Sequence, residues 1–390
     1  NNTTFDNQIG IFLYNSENST LSGNIANNNT ANYNYSGILL EESNNNLVWG
    51  NTANYNYYGI RLYLSNNNTI SGNNVNNNNG EGMYLYSSDN NTILGNNVND
   101  NNGNGIRLYL SNKNNILGNN VNDSNGDGIY LYNSDNNPLS GNTVNDNKRS
   151  GINLLGSDNN TLSGNTANNN TMFGIWLMHS YNNNLSGNTA NNNKRSGMEL
   201  YRSDDNILSG NTANNNTYYG IHLLSSNNNT VSGNTANNNK KVGMDLGGSD
   251  NNLIWGNTAN NNTYSGITLE GGHNNNVSGN IANYNNESGI YLYSSNNNTI
   301  SGNIANNNYY GINLTASNYN DITGNTLFDN NICYTFDRAG IGNKFKNNLC
   351  RNDEPSEADW IVSGVIGIII VSIILLGLSV LYWQFKRKVK

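Results

Sequence analysis

Proline is nearly missing from this chain: only Pro138 and Pro355 occur in 390 residues. Charge is scarce too, with Asp, Glu, Lys and Arg at 11% of the residues. Disordered chains are rich in Pro, Glu and Lys and carry high net charge. A long solvated coil is therefore excluded, despite a strongly polar composition. The 25 Tyr also point to a packed structure. There is no basic stripe. The last five residues hold four of the 18 Lys and Arg, so 14 remain against 26 acids and residues 1–385 carry −12. An acidic surface of this kind argues against nucleic acid as a partner. The three His and five Met form no cluster, and no Ser-His-Asp or Cys-His arrangement is visible.

What the chain has instead is Asn, 103 of them. It opens in the middle of its own pattern at Asn1, with no secretory signal, as expected of a mature form or of a chain with sequence upstream.

One long apolar run exists. Residues 361–383 are 23 in number and uncharged. At 1.5 Å per residue that is roughly 34 Å of helix, enough for about 30 Å of hydrocarbon. Trp360, Tyr382 and Trp383 flank it, and KRKVK follows. Interfacial aromatics and the positive-inside rule predict one transmembrane helix over residues 360–385. Residues 386–390 are then a cytoplasmic basic tail, 353–359 an acidic stalk, and everything before it extracellular.

The polar region repeats. Gly-Ile or Gly-Met recurs 14 times from Gly10 to Gly311, and ten consecutive steps are 23 residues. Numbering each unit from its Gly, position 2 is Ile or Met, position 4 Leu, and position 12 Leu, Ile or Val. Position 14 is Gly, position 15 Asn, and position 17 Ala, Val or once Leu. Apolar residues spaced by two mean strand. Three short strands separated by Asn-rich turns form one coil of a parallel β-helix. Positions 2, 4, 12 and 17 should stack inward, coil on coil, about 4.8 Å apart. Asn tolerates left-handed backbone and can hydrogen-bond to its own copy one coil away. Position 15 is the strongest candidate for such a ladder. The expected fold is all-β: about 14 coils of 23 residues over residues 1–327, with a cap at 328–352, plus the C-terminal helix.

Units such as GIHLLSSNNNTVSGNTANNN, starting at Gly220, resemble the NosD-type repeats of right-handed, single-stranded parallel β-helix proteins, abundant in archaeal surface proteins. The resemblance spans about residues 8–345. It is specific for fold and poor for function. The same architecture serves polysaccharide lyases, hydrolases and epimerases, adhesins and a periplasmic copper-binding accessory protein.

Function should then sit in columns of outward residues. Position 5 supplies Tyr63, Tyr86, Tyr109 and Tyr132, and position 3 beside it Arg61, Tyr84, Arg107 and Tyr130. Such a face suits stacking on sugar rings and hydrogen-bonding their hydroxyls, or is a plain strand surface of self-stacking Tyr. Position 19 supplies Asp100, Asp123 and Asp146. With Asn125 and Asp127, the DSNGDG stretch matches half of a calcium loop, although the closing Glu is absent. Calcium is the one cofactor this suggests. Glu199, His222 and Asp245 occupy position 3 of adjacent coils, as a surface ion network or a transition-metal set. Residues 148–150, 194–196 and 240–242 read KRS, KRS and KKV, alternating with aromatic triplets on a 46-residue period. This predicts Arg195 between Phe173 and Tyr218 or Tyr219. Cys333 and Cys350 are expected to pair outside the cell. Sequons at Asn169, Asn215, Asn228, Asn261 and Asn297, among others, are glycosylation candidates. The two carboxylates across a cleft that sugar hydrolysis needs are absent from the pattern, as are long cleft-walling loops. The reading is a single-pass cell-surface rod, structural or adhesive, with surface glycans or other envelope proteins as partners. A polysaccharide-modifying enzyme and a NosD-like copper binder are the alternatives.

Overall fold

The computed structural model describes residues 2–29, 35–336 and 340–351. The stalk, the apolar segment at 360–385 and the basic tail lie outside the described residues. Among those described, no helix is long and apolar enough to cross a membrane.

The coils stack into two 15-stranded parallel sheets and a third face of short strands and single bridges. All belong to one compact unit, Asn1–Cys350. Every step runs in register, Ile152 on Ile175 and Leu162 on Leu185, so each side chain meets its own column. The coil at 151–173 illustrates the pattern. The first-sheet strand Ile152–Leu155 points Ile152 and Leu154 inward. The second-sheet strand Thr161–Ser163 buries Leu162, and Ala167 fills the third side. Gly151 is demanded by closeness. A Cβ there would lie 2.7 Å from the Gly174 carbonyl oxygen, 2.8 Å from Asn170 Nδ2 and 2.9 Å from Ala167 Cβ.

The corners follow one rule. Four residues of this coil, Gly156, Asn159, Gly164 and Asn169, have φ of 57–60°. The residue after each one, Ser157, Asn160, Asn165 and Asn170, is buried. Their backbone N–H groups donate to Ser180 Oγ and to the Oδ1 of Asn183, Asn188 and Asn193, at 2.8–3.0 Å. A left-handed residue turns the chain, and the next side chain caps the coil before it. Three Asn ladders and one Ser ladder therefore run along the interior, where one Asn ladder was expected. They supply the partners that buried backbone groups at the corners require.

The stretch expected to close the rod continues it. Ile332–Phe336 pairs with Tyr310–Thr315, and Lys344–Lys346 with Asp321–Thr323, which makes a fifteenth coil. Cys333 occupies the Gly position of this coil, one residue before Tyr334, which pairs with Ile312. Asn325 donates to Asn348, which puts Cys350 in the column of the inward Leu327. Cys333 and Cys350 are disulfide-bonded, with Cα atoms 5.8 Å apart. In other coils a Gly lies against Ala or Val at this place, and here a covalent bond joins the same two positions. That substitution is why the Gly-Ile signature stops at Gly311.

Candidate functional site

The outer surface of the first sheet gathers most of the chemistry. It is lined by positions 3 and 5 and by the residue before each Gly. Tyr63, Tyr86, Tyr109 and Tyr132 form one stack, with centroids 5.2, 5.2 and 5.0 Å apart and interplanar angles of 18°, 7° and 6°. The rings turn their faces to one another. The strip offers its edges and hydroxyls outward, where sugar stacking on ring faces was expected. Beside it, the Arg61 guanidinium lies 5.3 Å from the Tyr58 ring and 5.7 Å from Tyr84. Arg107 lies 5.3 Å from Tyr84 and 5.7 Å from Tyr130, and its Nη1 donates to Glu81 Oε1 at 2.9 Å. Burial lowers the Arg107 pKa, but the Glu81 contact outweighs this and holds it above the usual value. Burial first, and then the Glu81 charge, push Tyr58 up to about 12. Among the described residues, Arg61 has no such carboxylate, and it borders an open cavity of about 380 Å³ with Leu39, Glu41 and Tyr63.

Further along the same column, position 3 is buried. Glu199, His222 and Asp245 are 7%, 9% and 4% exposed. His222 Nδ1 lies 2.9 Å from both Glu199 carboxylate oxygens, and Nε2 lies 3.2 Å from Asp245 Oδ2. The Tyr219 ring covers the imidazole at 4.5 Å. Burial would lower the His222 pKa, but the bonds to Asp245 and Glu199 override it and raise it to about 9. At neutral pH an imidazolium thus bridges two carboxylates, with both ring nitrogens engaged. The carboxylates meet the ring from opposite sides, so they leave no common point for a metal. Among the described residues, no group of three His, Cys, Asp or Glu is placed to hold one.

Of the calcium-loop residues, the three Asp of position 19 line up while Asn125 and Asp127 are engaged elsewhere. Asp100, Asp123 and Asp146 are exposed left-handed corner residues. Burial, then the Asp100 and Asp146 charges, raise the Asp123 pKa. Asp127 turns away to the first sheet, accepting from Ser150 N at 2.8 Å and from Asn153 Nδ2 at 3.0 Å. Asn125 donates to Asn102 Oδ1 at 2.6 Å. The loop therefore does not wrap a shared centre. Arg195 does stack on Phe173, at 5.7 Å. The Tyr218–Tyr219 pair takes a different cation, Lys241 Nζ, 4.3 Å from the Tyr218 ring. Asn169, Asn215, Asn228, Asn261 and Asn297 all sit at exposed left-handed corners. Tyr58 and Glu81 fall outside the columns that the repeat singles out, and Tyr219, expected beside Arg195, covers His222 instead. Their signal was a bulky or acidic residue just before Gly, three positions from the outward column.

A family model described as right handed beta helix region matches residues 1–144 and 110–254. One described as periplasmic copper-binding protein (NosD) matches residues 213–354. Curated proteins offer no match. Among solved structures, Dettilon tailspike protein is similar at 15% identity and a TM-score of 0.50, over 64% of this chain and 60% of that one. The Azotobacter vinelandii mannuronan C-5 epimerase AlgE6 A-module is similar at 14% identity and 0.49, over 89% and 91%. The periplasmic alginate epimerase AlgG is similar at 15% identity and 0.45, over 80% and 76%. At such identities the likeness is one of fold.

Proposed function

The chain belongs to the right-handed beta-helix family, and on that premise we propose that it is an extracellular, membrane-anchored rod, structural or adhesive in role, that binds glycan along its first sheet. One observation carries the reading: four stacked Tyr with Arg61 and Arg107 alongside, all held rigid by the sheet. A preorganised row of hydroxyl and guanidinium groups binds sugar hydroxyls with little ordering cost. The Cys333–Cys350 bond supports an oxidising location, and residues 361–383 supply the anchor. A glycan array on the full chain in detergent, with and without Ca²⁺, tests the reading. Binding should be lost in the Tyr86→Ala, Tyr109→Ala double variant. An empty array, or binding indifferent to that pair, would sink it.

A polysaccharide-modifying enzyme is the second reading, favoured by the buried Glu199–His222–Asp245 cluster. It requires His222 to exchange one carboxylate for substrate. Turnover of polysaccharides by the wild type, abolished by His222→Gln, would establish it over the rod. Copper binding is the weaker alternative, because both imidazole nitrogens already have partners.

A further inference from the structure

Three Tyr-Tyr-Gly turns border the first sheet: Tyr57–Tyr58, Tyr218–Tyr219 and Tyr309–Tyr310. Two of them seat a cation from the protein. Arg61 lies 5.3 Å from Tyr58. Lys241 lies 4.3 Å from Tyr218 and 5.7 Å from Tyr219. A cation over a Tyr ring is attracted by the ring quadrupole, so these turns are built as cation seats.

The third turn has the same ring pair and different neighbours. Its rings meet edge to face at 4.6 Å and 77°, as Tyr57 and Tyr58 do at 4.7 Å and 84°. Both turns close coils of 22 residues, one shorter than the ten 23-residue coils between them. Asn313, two residues past the Gly, stands where Arg61 does. Ile332 stands where Lys241 does: its N–H donates to the Tyr309 carbonyl as that of Lys241 donates to Tyr218. Among the described residues, no Lys or Arg lies over Tyr309 or Tyr310. The space is an open cavity of about 340 Å³ whose lining includes Asn286, Glu287, Tyr291, Tyr309, Tyr310 and Asn313. Glu287 is exposed and in no ion pair with a described residue. Three aromatic rings and one carboxylate are the groups that hold an organic ammonium ion.

We propose that this cavity binds the ammonium group of an amino sugar with a free amine. The assignment rests on the glycan reading above and names its ligand at one end of the strip. Asn313 and Asn286 supply amides for the ring hydroxyls, and Glu287 supplies the counter-charge that a uronate would be repelled by.

Calorimetric titration of the full chain in detergent tests this. The probes are a short glucosamine oligomer, its N-acetylated counterpart and choline. The glucosamine oligomer should bind, about 10-fold more weakly to Glu287→Gln, and weaken with salt. Asn313→Arg should abolish its binding, because an arginine there fills the seat as Arg61 does. Neither variant should alter binding of the acetylated oligomer. Equal affinity for both oligomers, unaffected by Asn313→Arg, overturns the inference and leaves the glycan reading standing. Choline bound with no oligomer bound overturns the amino-sugar assignment. No binding of any probe and an empty array overturn both. Melting curves of the two variants establish that each is folded.

Discussion

The interior ladders make a quantitative claim that Asn165 can test. Its side chain is 1% exposed and makes four hydrogen bonds. Oδ1 accepts from Asn142 N at 3.0 Å and from Asn142 Nδ2 at 2.9 Å. Nδ2 donates to the Leu139 carbonyl at 3.0 Å and to Asn188 Oδ1 at 2.9 Å. Asn165→Ala removes all four and strips the buried Asn142 N–H of its acceptor. At about 1 kcal/mol net per bond, with the stranded donor toward the upper end, the loss should be about 3–5 kcal/mol. Asn165→Asp keeps the volume but cannot donate, and sets a carboxylate against two oxygens. Its deficit should exceed that of Ala at neutral pH and shrink in acid as the carboxyl protonates. Asn184→Thr is the control: Asn184 is exposed, and Thr stands in the same column at Thr161 and Thr230. It should stay within about 0.5 kcal/mol. Because solenoids open locally, urea unfolding should be paired with hydrogen exchange at the Asn142 amide. A loss under about 1 kcal/mol for Asn165→Ala, with Asn142 as protected as in the wild type, would refute the ladder as a source of stability.

Three further outcomes follow from the same geometry. His222 has its pKa raised from 6.5 to about 9, so its contribution is complete below pH 6.5 and is lost as pH climbs through 9; the linkage is worth about 3 kcal/mol. The melting temperature should therefore fall between pH 7 and pH 10 in the wild type but not in His222→Gln, and parallel curves would count against an ionised bridge. Ser124 interrupts the third Asn ladder, and its Oγ has no partner among the described residues. Ser124→Asn should restore the column and raise stability by about 1 kcal/mol, measured by urea midpoint. In the Asp100, Asp123 and Asp146 column the Asp123 pKa is raised, so its charge opposes folding above the carboxylate range. Asp123→Asn should melt higher at pH 7 and equally at pH 3, and added Ca²⁺ should close the pH 7 gap only if the column binds it.

Much of the architecture was legible in the letters. Positions 2, 4, 12 and 17 alternate with polar residues, and Ile152, Leu154, Leu162 and Ala167 are all fully buried. The ladders at Asn160 and Asn170 were harder to see, because each lies in a run of Asn where identity does not separate inward from outward. A signal existed nonetheless. Left-handed corners vary, with Lys113, Asp205 and Tyr319 at one and Tyr55 and Tyr284 at another, while the residue after each hardly varies. A corner needs only φ near 60°; its successor must reach a specific backbone N–H. The site was less legible. Position 3 reads as outward by alternation, yet Glu199, His222 and Asp245 are buried by neighbours such as Tyr219. That covering comes from the residue before the Gly, which the two-residue period does not place.

The 22-residue coils that end at Tyr58 and Tyr310 explain where the surface becomes specific. Most 23-residue coils lead into a first-sheet strand of four residues, as in Ile152–Leu155. Beside the shortened corners the pairing extends: Tyr58–Tyr63 and Tyr310–Thr315 have six residues, as do their partners Ser36–Glu41 and Ser288–Tyr293, and the leading Tyr pair in register with Ser36 and Ser288. The Tyr before Gly is thereby drawn from corner to sheet, and its neighbour's ring is set edge-on against it. The cavities at Arg61 and at Tyr309 lie beside these coils. The interior tolerates the deletion because positions 2, 4, 12 and 17 lie outside the shortened corner. Stacking constrains what faces inward and leaves corner length free, so a one-residue change at a corner alters the outer face without disturbing the core.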